Sequence, residues 1–229
     1  MRKRVLIFGL VLGACAPAAS SGTADTGAAA PAVQTEADPD LRPTGAGGLP
    51  AGYLGRTDRA NTSIADAKYV VSANRWEITT GPAHIVYSPR DAGTGNYTVS
   101  STIEQLAAPR HREAFGLIFA GRNLDTPAQE YVYFVVAGTG EMLVKQRQGD
   151  ATHDLIAWKK TPAVPAADSL GRQTYRLQVR VASDSVRFVV DDVVAGALSK
   201  AALNQTDGIA GLRVNHNLSL RATPVVVQK

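Results

Sequence analysis

The chain has 229 residues, of which 45% are hydrophobic and 19% are charged, and its formal net charge is +4. This length suits one globular domain with additional irregular chain, and a charged fraction below the usual ~25% argues against a long charged tail or a charge-rich coiled coil. The single cysteine excludes a disulfide framework or a cysteine-rich zinc site within the chain.

The first fourteen residues have the pattern of a secretory signal peptide. Residues 2–4 are basic, and residues 5–12 form an apolar run that is too short to remain as a membrane-spanning helix. The segment Leu12-Gly13-Ala14-Cys15 resembles the bacterial lipobox, which implies that Cys15 is lipidated and begins the mature protein. A lipid anchor holds a protein at a membrane without spanning it. Together with Ala16 after the cysteine, this predicts an exported lipoprotein of the cell envelope, at the outer membrane in a double-membraned bacterium.

Residues 15–50 are predicted to be a flexible tether. They consist almost wholly of Ala, Gly, Pro, Ser, Thr and Asp and contain no aromatic residue. Such a segment cannot bury enough apolar surface to offset the loss of chain entropy on folding. We therefore expect the folded domain to occupy residues 51–229.

The remaining chain is predicted to be an all-β sandwich. Short runs alternate between apolar and polar residues and end at glycine, proline or aspartate, the pattern of half-buried strands joined by turns. The predicted strands cover residues 75–80, 83–87, 96–104, 115–121, 131–136, 141–147, 175–181, 186–190, 208–214 and 218–221. Residues 115–121 are apolar on both faces, which predicts a central strand, and only residues 199–204 look helical.

This order of elements resembles the concanavalin A-like jelly roll of legume-type lectins, laminin-G-like modules, family 16 glucanases and 3-keto-disaccharide hydrolase-type domains. The similar segments are residues 115–119, 131–134, 175–179, 188–192 and 208–214. The resemblance implies a sandwich of two antiparallel sheets. Because such folds carry many unrelated activities, it favours a fold more than a function.

The sequence lacks the glucanase and metal-site signatures that would indicate catalysis. Family 16 glucanases present two carboxylates through a Glu-x-Asp-x-x-Glu string, which the sequence lacks, so a retaining glucanase is disfavoured. The histidines, His84, His111, His153 and His216, have no metal-ligand spacing. We therefore expect no metal and no cofactor, and a binding role is favoured over an enzymatic one.

One predicted hairpin carries the candidate binding residues. Its apolar positions alternate onto one face: Val132, Phe134, Val136, Met142 and Val144. If these positions face the core, four other side chains are exposed together on the opposite face: Tyr131, Tyr133, Lys145 and Arg147. Tyrosine rings stack on sugars, and Lys and Arg donate hydrogen bonds to hydroxyls or carboxylates. Ordinary cross-strand packing of the tyrosines is the alternative.

Three further residues complete the candidate site. The jelly-roll resemblance implies binding on the concave sheet, where we place Arg122 at the end of a strand and Trp158 on a rim loop. His216 is predicted to end the strand that begins near Ile209, and it is a candidate general base or sugar-binding donor. A histidine bonded to a backbone carbonyl at a strand end is the alternative for His216.

The charge distribution gives little support to nucleic-acid binding. Of the 24 basic and 20 acidic residues, 20 and 16 lie in residues 51–229, and the chain from Cys15 onward carries only +1. Phosphate binding needs a concentrated basic surface. The leading hypothesis is therefore an envelope lipoprotein, with the membrane as partner through its lipid, that binds a glycan without catalysis. A hydrolase of the 3-keto-disaccharide type, acting through an acid and a histidine, and a structural or adhesion module are the alternatives.

Overall fold

The structure is a computed structural model and describes residues 38–45 and 47–229. The predicted signal peptide, Cys15 and the tether up to residue 37 lie outside the described residues. In the part of the chain that is described, no helix is long and apolar enough to cross a membrane.

The described residues form fifteen strands and two short 3-10 turns. The strands are β1 Leu54–Thr57, β2 Ala67–Ser72, β3 Arg75–Thr80, β4 His84–Gly93, β5 Tyr97–Gln105, β6 Ala114–Arg122, β7 Glu130–Ala137, β8 Glu141–Gln148, β9 Ala151–Lys160, β10 Gln173–Val181, β11 Ser185–Val190, β12 Val193–Ser199, β13 Gly208–Val214, β14 Ser219–Ala222 and β15 Val226–Gln228. The predicted helical stretch at 199–204 contains only the 3-10 turn Lys200–Ala202, and a second turn covers Ile64–Asp66.

The strands pair into two antiparallel sheets, which confirms the predicted all-β sandwich. One sheet has seven strands in the order β1-β4-β13-β6-β7-β8-β9. The other has the order β12-β11-β10-β5-β14-β3-β2, and β15 joins it by pairing with β5. The predicted central strand is β6, which lies between β13 and β7 with nearly every residue buried.

The main hydrophobic core lies between the two sheets. Alternate residues of β6 and β7 meet alternate residues of β10 and β11, so that Phe134 lies 5.3 Å and Phe119 lies 6.3 Å from Phe188 between ring centroids. Burying each such ring contributes about 1.5–3 kcal/mol. Gly116 of β6 has no room for a side chain, because a Cβ there would lie 2.1 Å from the carbonyl oxygen of Phe134.

His84 at the start of β4 is completely buried and belongs to a small polar network. Its Nε2 lies 2.6 Å from the Tyr69 hydroxyl, and its Nδ1 lies 3.0 Å from the carbonyl oxygen of Pro82. A carbonyl only accepts hydrogen bonds, so Nδ1 carries the proton and Nε2 accepts from the tyrosine. Burial lowers the pKa of His84 to about 4, which keeps the ring neutral at neutral pH.

Candidate functional site

A second group of buried side chains lies on the outer face, the face of the seven-stranded sheet that is turned away from the main core. It includes Ile85, Tyr87, Ile118, Tyr131, Tyr133 and Leu143. Strand pairing places Tyr131 opposite Arg147 and Tyr133 opposite Lys145. The alternation thus brings the four hairpin residues to one face, as the sequence predicts.

The expected exposure of these residues is wrong. Tyr131, Tyr133 and Arg147 are only 2%, 8% and 7% exposed, and Lys145 is half-buried. Two residues that the sequence analysis did not select account for this burial. Arg213 of β13 and Asp58, directly after β1, meet over the tyrosine pair.

Asp58 joins two arginine side chains on the outer face. Its two carboxylate oxygens each accept a hydrogen bond from the Arg213 guanidinium at 2.5 Å, and Oδ1 lies 3.5 Å from Nη2 of Arg147. The guanidinium carbon of Arg213 lies 5.5 Å from the ring centroid of Tyr133, and that of Arg147 lies 5.9 Å from Tyr131. Each tyrosine ring therefore supports one guanidinium through a cation–π contact.

The charges of this group are fixed at neutral pH. Burial alone would raise the pKa of Asp58, but the Arg213 and Arg147 guanidinium groups outweigh that effect and hold the pKa below its ordinary value. Burial would lower the pKa of Arg213, and the charge of Asp58 reverses this and raises it. Burial raises the pKa of Tyr131 and of Tyr133, so both remain neutral phenols. Two cations and one anion leave one net positive charge.

An open cavity of about 700 Å³ lies beside this group. Its lining includes Arg56, Asp58 and Tyr87, together with Asp125 after β6 and Asp150 in the turn between β8 and β9. Small-molecule sites in proteins commonly have volumes of ~300–1,000 Å³ and combine apolar walls with a few polar groups. The cavity is therefore large enough for a few sugar rings or a similar polar ligand.

Three arginines of this region have a buried donor without a partner. Among the described residues, no acceptor bonds the Nε atoms of Arg56, Arg147 and Arg213. A buried donor that lacks its hydrogen bond typically costs about 1–3 kcal/mol. Of these three arginines, Arg56 lines the 700 Å³ cavity.

The other predicted site residues on this sheet are Lys145, Trp158 and Arg122. Lys145 forms an ion pair with Asp154 at 3.1 Å. Trp158 packs at the border of the outer-face group, but its predicted position on a rim loop is wrong. Residues 151–160 form β9, which pairs with β8, although apolar and polar residues do not alternate along this segment. The guanidinium of Arg112 covers the Trp158 ring at 4.5 Å. Arg122 ends β6 and is exposed.

His216 belongs to a separate cluster beyond the end of β13. Its Nε2 lies 2.7 Å from Oε1 of Glu113 and its Nδ1 lies 3.2 Å from Oδ1 of Asp40, so carboxylates, and not a backbone carbonyl, satisfy the ring. Burial raises the pKa of Glu113, although His216 partly opposes this. An adjoining cavity of about 160 Å³ is lined by His216, Asp40 and Asp58 among others. In the part of the chain that is described, no group of three or more His, Cys, Asp or Glu residues could hold a metal ion.

Comparison with known proteins identifies the fold. No family model matches the sequence, and no curated protein matches it either. The structure is similar to the carbohydrate-binding module CBM66 from Bacillus subtilis, with a TM-score of 0.56 and 16% identity over 78% of this chain and 96% of the module. It is also similar to a protein of unknown function with a galectin-like fold from Bacillus subtilis, with a TM-score of 0.56 and 10% identity over 77% of this chain and 88% of that protein. At these identities the likeness establishes a jelly-roll-like fold.

Proposed function

We propose that the protein is an exported, lipid-anchored envelope protein whose β-sandwich binds a glycan on the outer face of the seven-stranded sheet without catalysis. The observation that carries this proposal is a 700 Å³ cavity lined by Arg56, Tyr53 and Tyr87. Asp58, which also lines it, links the cavity to the buried arginine and tyrosine side chains. Aromatic rings and planar donors are the groups that recognise sugars, which present apolar ring faces and many hydroxyls. The similar fold of a carbohydrate-binding module supports the same function.

The charge state of Asp58 argues against a role as general acid in glycoside hydrolysis. A glycosidase requires one carboxyl group that gives up a proton and a second that acts as nucleophile or base. Two guanidinium groups hold the pKa of Asp58 low, so this carboxylate does not carry a proton at neutral pH. The carboxylate closest to the tyrosines is thus suited to fixing arginines and not to acid catalysis.

A matched pair of arginine variants tests the binding site. Arg56→Met removes a cavity-lining guanidinium and keeps an apolar side chain, while Arg180→Met makes the same change on the exposed face of β10. The full chain is first screened against saccharides by thermal shift, and the strongest ligand is then titrated by calorimetry. We expect Arg56→Met to weaken binding by about tenfold or more, which corresponds to ~1.4 kcal/mol, and Arg180→Met to bind like the wild type.

Two results would contradict the binding proposal. If no saccharide shifts the melting temperature or gives a heat of binding, glycan binding is wrong. If a saccharide binds and both variants bind it equally, the ligand site lies elsewhere on the protein.

The lipid anchor has its own test. Cys15→Ser removes the thiol that the lipobox-like segment would present for lipidation. We expect the wild-type protein in the membrane fraction of the cell and the variant in the soluble exported fraction, because one or more acyl chains supply the membrane affinity. Retention of the variant in the membrane fraction would contradict anchoring through Cys15.

The contact between His216 and Glu113 favours one second candidate, a glycoside-active hydrolase of the 3-keto-disaccharide type. The 2.7 Å contact places a carboxyl group with a raised pKa beside an imidazole, and both group types serve in general acid–base catalysis. Glu113→Gln keeps the shape and removes the ionisable carboxyl group. If the wild type cleaves a 3-keto-glycoside and Glu113→Gln does so at least ~100-fold more slowly, this candidate replaces non-catalytic binding.

A further inference from the structure

On the outer face, the carboxylate of Asp58 comes from a loop, whereas the two arginines that bind it come from strands of the sheet. Arg213 and Arg147 lie in β13 and β8, inside the seven-stranded sheet, where both neighbouring strands fix the backbone. Asp58 is the first residue of the loop 58–63, which connects β1 to the 3-10 turn Ile64–Asp66. The two cations are thus held in place while the carboxylate belongs to a loop.

The loop 58–63 is bonded mainly to itself. The Thr57 hydroxyl donates to the carbonyl oxygens of Arg59 and Thr62, and the Thr62 hydroxyl donates to that of Arg59 at 2.8 Å. Thr57 belongs to β1, so these bonds hold the loop to its own flanking strand. Among the described residues, the loop's hydrogen bonds to more distant parts of the fold come from Asp58: its backbone N–H donates to the carbonyl oxygen of Ala83, and its carboxylate accepts from the arginines. Residues 59–61 and 63 are exposed.

Space is available on both sides of this loop. The 700 Å³ cavity and the 160 Å³ cavity are both lined by Asp58, Arg59 and Thr62. The loop therefore borders two open volumes, and its residues are not part of the main hydrophobic core.

We propose that Asp58 holds the position of a ligand carboxylate, so that the site accepts an acidic saccharide whose carboxylate replaces Asp58 on Arg213 and Arg147. This inference rests on the proposed glycan binding and specifies its ligand class. A sugar carboxylate offers the same two oxygens to the guanidinium fork of Arg213. The exchange leaves the buried charges balanced, because one carboxylate enters as another reaches water. A neutral sugar cannot make this exchange, since it would leave the buried arginines without an anion.

Asp58→Asn tests the exchange directly, with Asp184→Asn as its matched control. Both variants replace one aspartate by asparagine, but Asp58 is bonded to the arginines, whereas Asp184 lies exposed in the turn between β10 and β11. The full chain is titrated with a hexuronic acid oligomer and with a neutral hexose oligomer of the same length. We expect the wild type to prefer the acidic oligomer, and Asp58→Asn to bind it about tenfold more tightly than the wild type, with a change of less than about twofold for Asp184→Asn.

The outcomes separate this inference from the binding proposal. Equal binding of acidic and neutral oligomers by the wild type, with loss in Arg56→Met, would overturn the acidic preference and leave glycan binding in place. Unchanged or weaker binding of the acidic oligomer by Asp58→Asn would also overturn the acidic preference. An equal gain in affinity for the acidic oligomer in both aspartate variants would overturn it too, because it would indicate general charge repulsion by the protein. Absence of binding by either oligomer, in a protein that no other saccharide stabilises, would overturn both proposals.

A second measurement uses the wild type and covers the case in which Asp58→Asn does not fold. Displacement of Asp58 frees the loop, so trypsin should cleave after Arg59 at least about fivefold faster when the acidic oligomer is bound. The neutral oligomer should leave the cleavage rate unchanged. A cleavage rate that stays the same or falls with the acidic oligomer would overturn the exchange.

Discussion

The ion pair between Asp58 and Arg213 should show an unequal response to removal of its two partners. The Arg213 side chain is 6% exposed, whereas that of Asp58 is 23% exposed and keeps a second cation, Arg147, at 3.5 Å. Asp58→Ala leaves a fully buried guanidinium without its two hydrogen bonds, which should lower the free energy of unfolding by ~3–5 kcal/mol. Arg213→Met leaves Asp58 in contact with water and with Arg147, so its cost should be only ~1–2 kcal/mol.

The double variant distinguishes a coupled pair from two independent residues. In the Arg213→Met variant, Arg147 is the buried cation that Asp58 still neutralises. Adding Asp58→Ala to this variant should therefore lower the free energy of unfolding by ~2 kcal/mol less than it does in the wild type. Urea unfolding of the full chain at pH 7, followed by tryptophan fluorescence, measures all four proteins. Equal costs for the two single variants, or a double variant whose cost is their sum, would refute the described arrangement.

Two further predictions concern the fold that supports the site. The pKa of His84 falls from 6.5 to about 4 on folding, so only the unfolded chain gains a proton at this position as the pH falls through this range. The free energy of unfolding of the wild type, measured by urea unfolding at several pH values, should therefore drop by ~3 kcal/mol more than that of His84→Asn. A parallel loss in both proteins would contradict this prediction. Gly116→Ala should prevent folding or lower the free energy of unfolding by more than ~3 kcal/mol, because the added Cβ would clash with the Phe134 carbonyl oxygen. A Cβ added at Gly48 meets no heavy atom within 4 Å, so Gly48→Ala should stay within ~0.5 kcal/mol of the wild type in thermal unfolding. Equal stability of the two variants would contradict the packing of β6.

The sequence predicted the sheet face of the hairpin residues because strand periodicity is a local property. Tyr131 and Tyr133 alternate with core residues, and a strand period of two places them together whatever covers them. Their burial depends on Asp58 and Arg213, which are 155 residues apart in the chain. No local pattern reports such a pairing, although an arginine inside the apolar run of residues 208–214 was a signal that a buried cation needs an anion.

The strand β9 shows the other limit of sequence reasoning. Its side chains are exposed or half-buried at every position, so Trp158 is not preceded by the alternation that marks a strand. It forms because β8 offers a free edge and the turn after Gln148 brings the chain back to it. The sequence predicts that His216 ends its strand, which is wrong because β13 ends at Val214. Its carboxylate partners Glu113 and Asp40 come from distant loops and required the structure.

A crystal structure of the protein with its strongest saccharide ligand tests the central proposal most directly. We predict that the saccharide lies in the 700 Å³ cavity, within hydrogen-bond distance of Arg56, about 3 Å, and in contact with Tyr87 or the arginine pair. A saccharide bound on the outer face of the eight-stranded sheet, or in the small cavity beside His216, would contradict it.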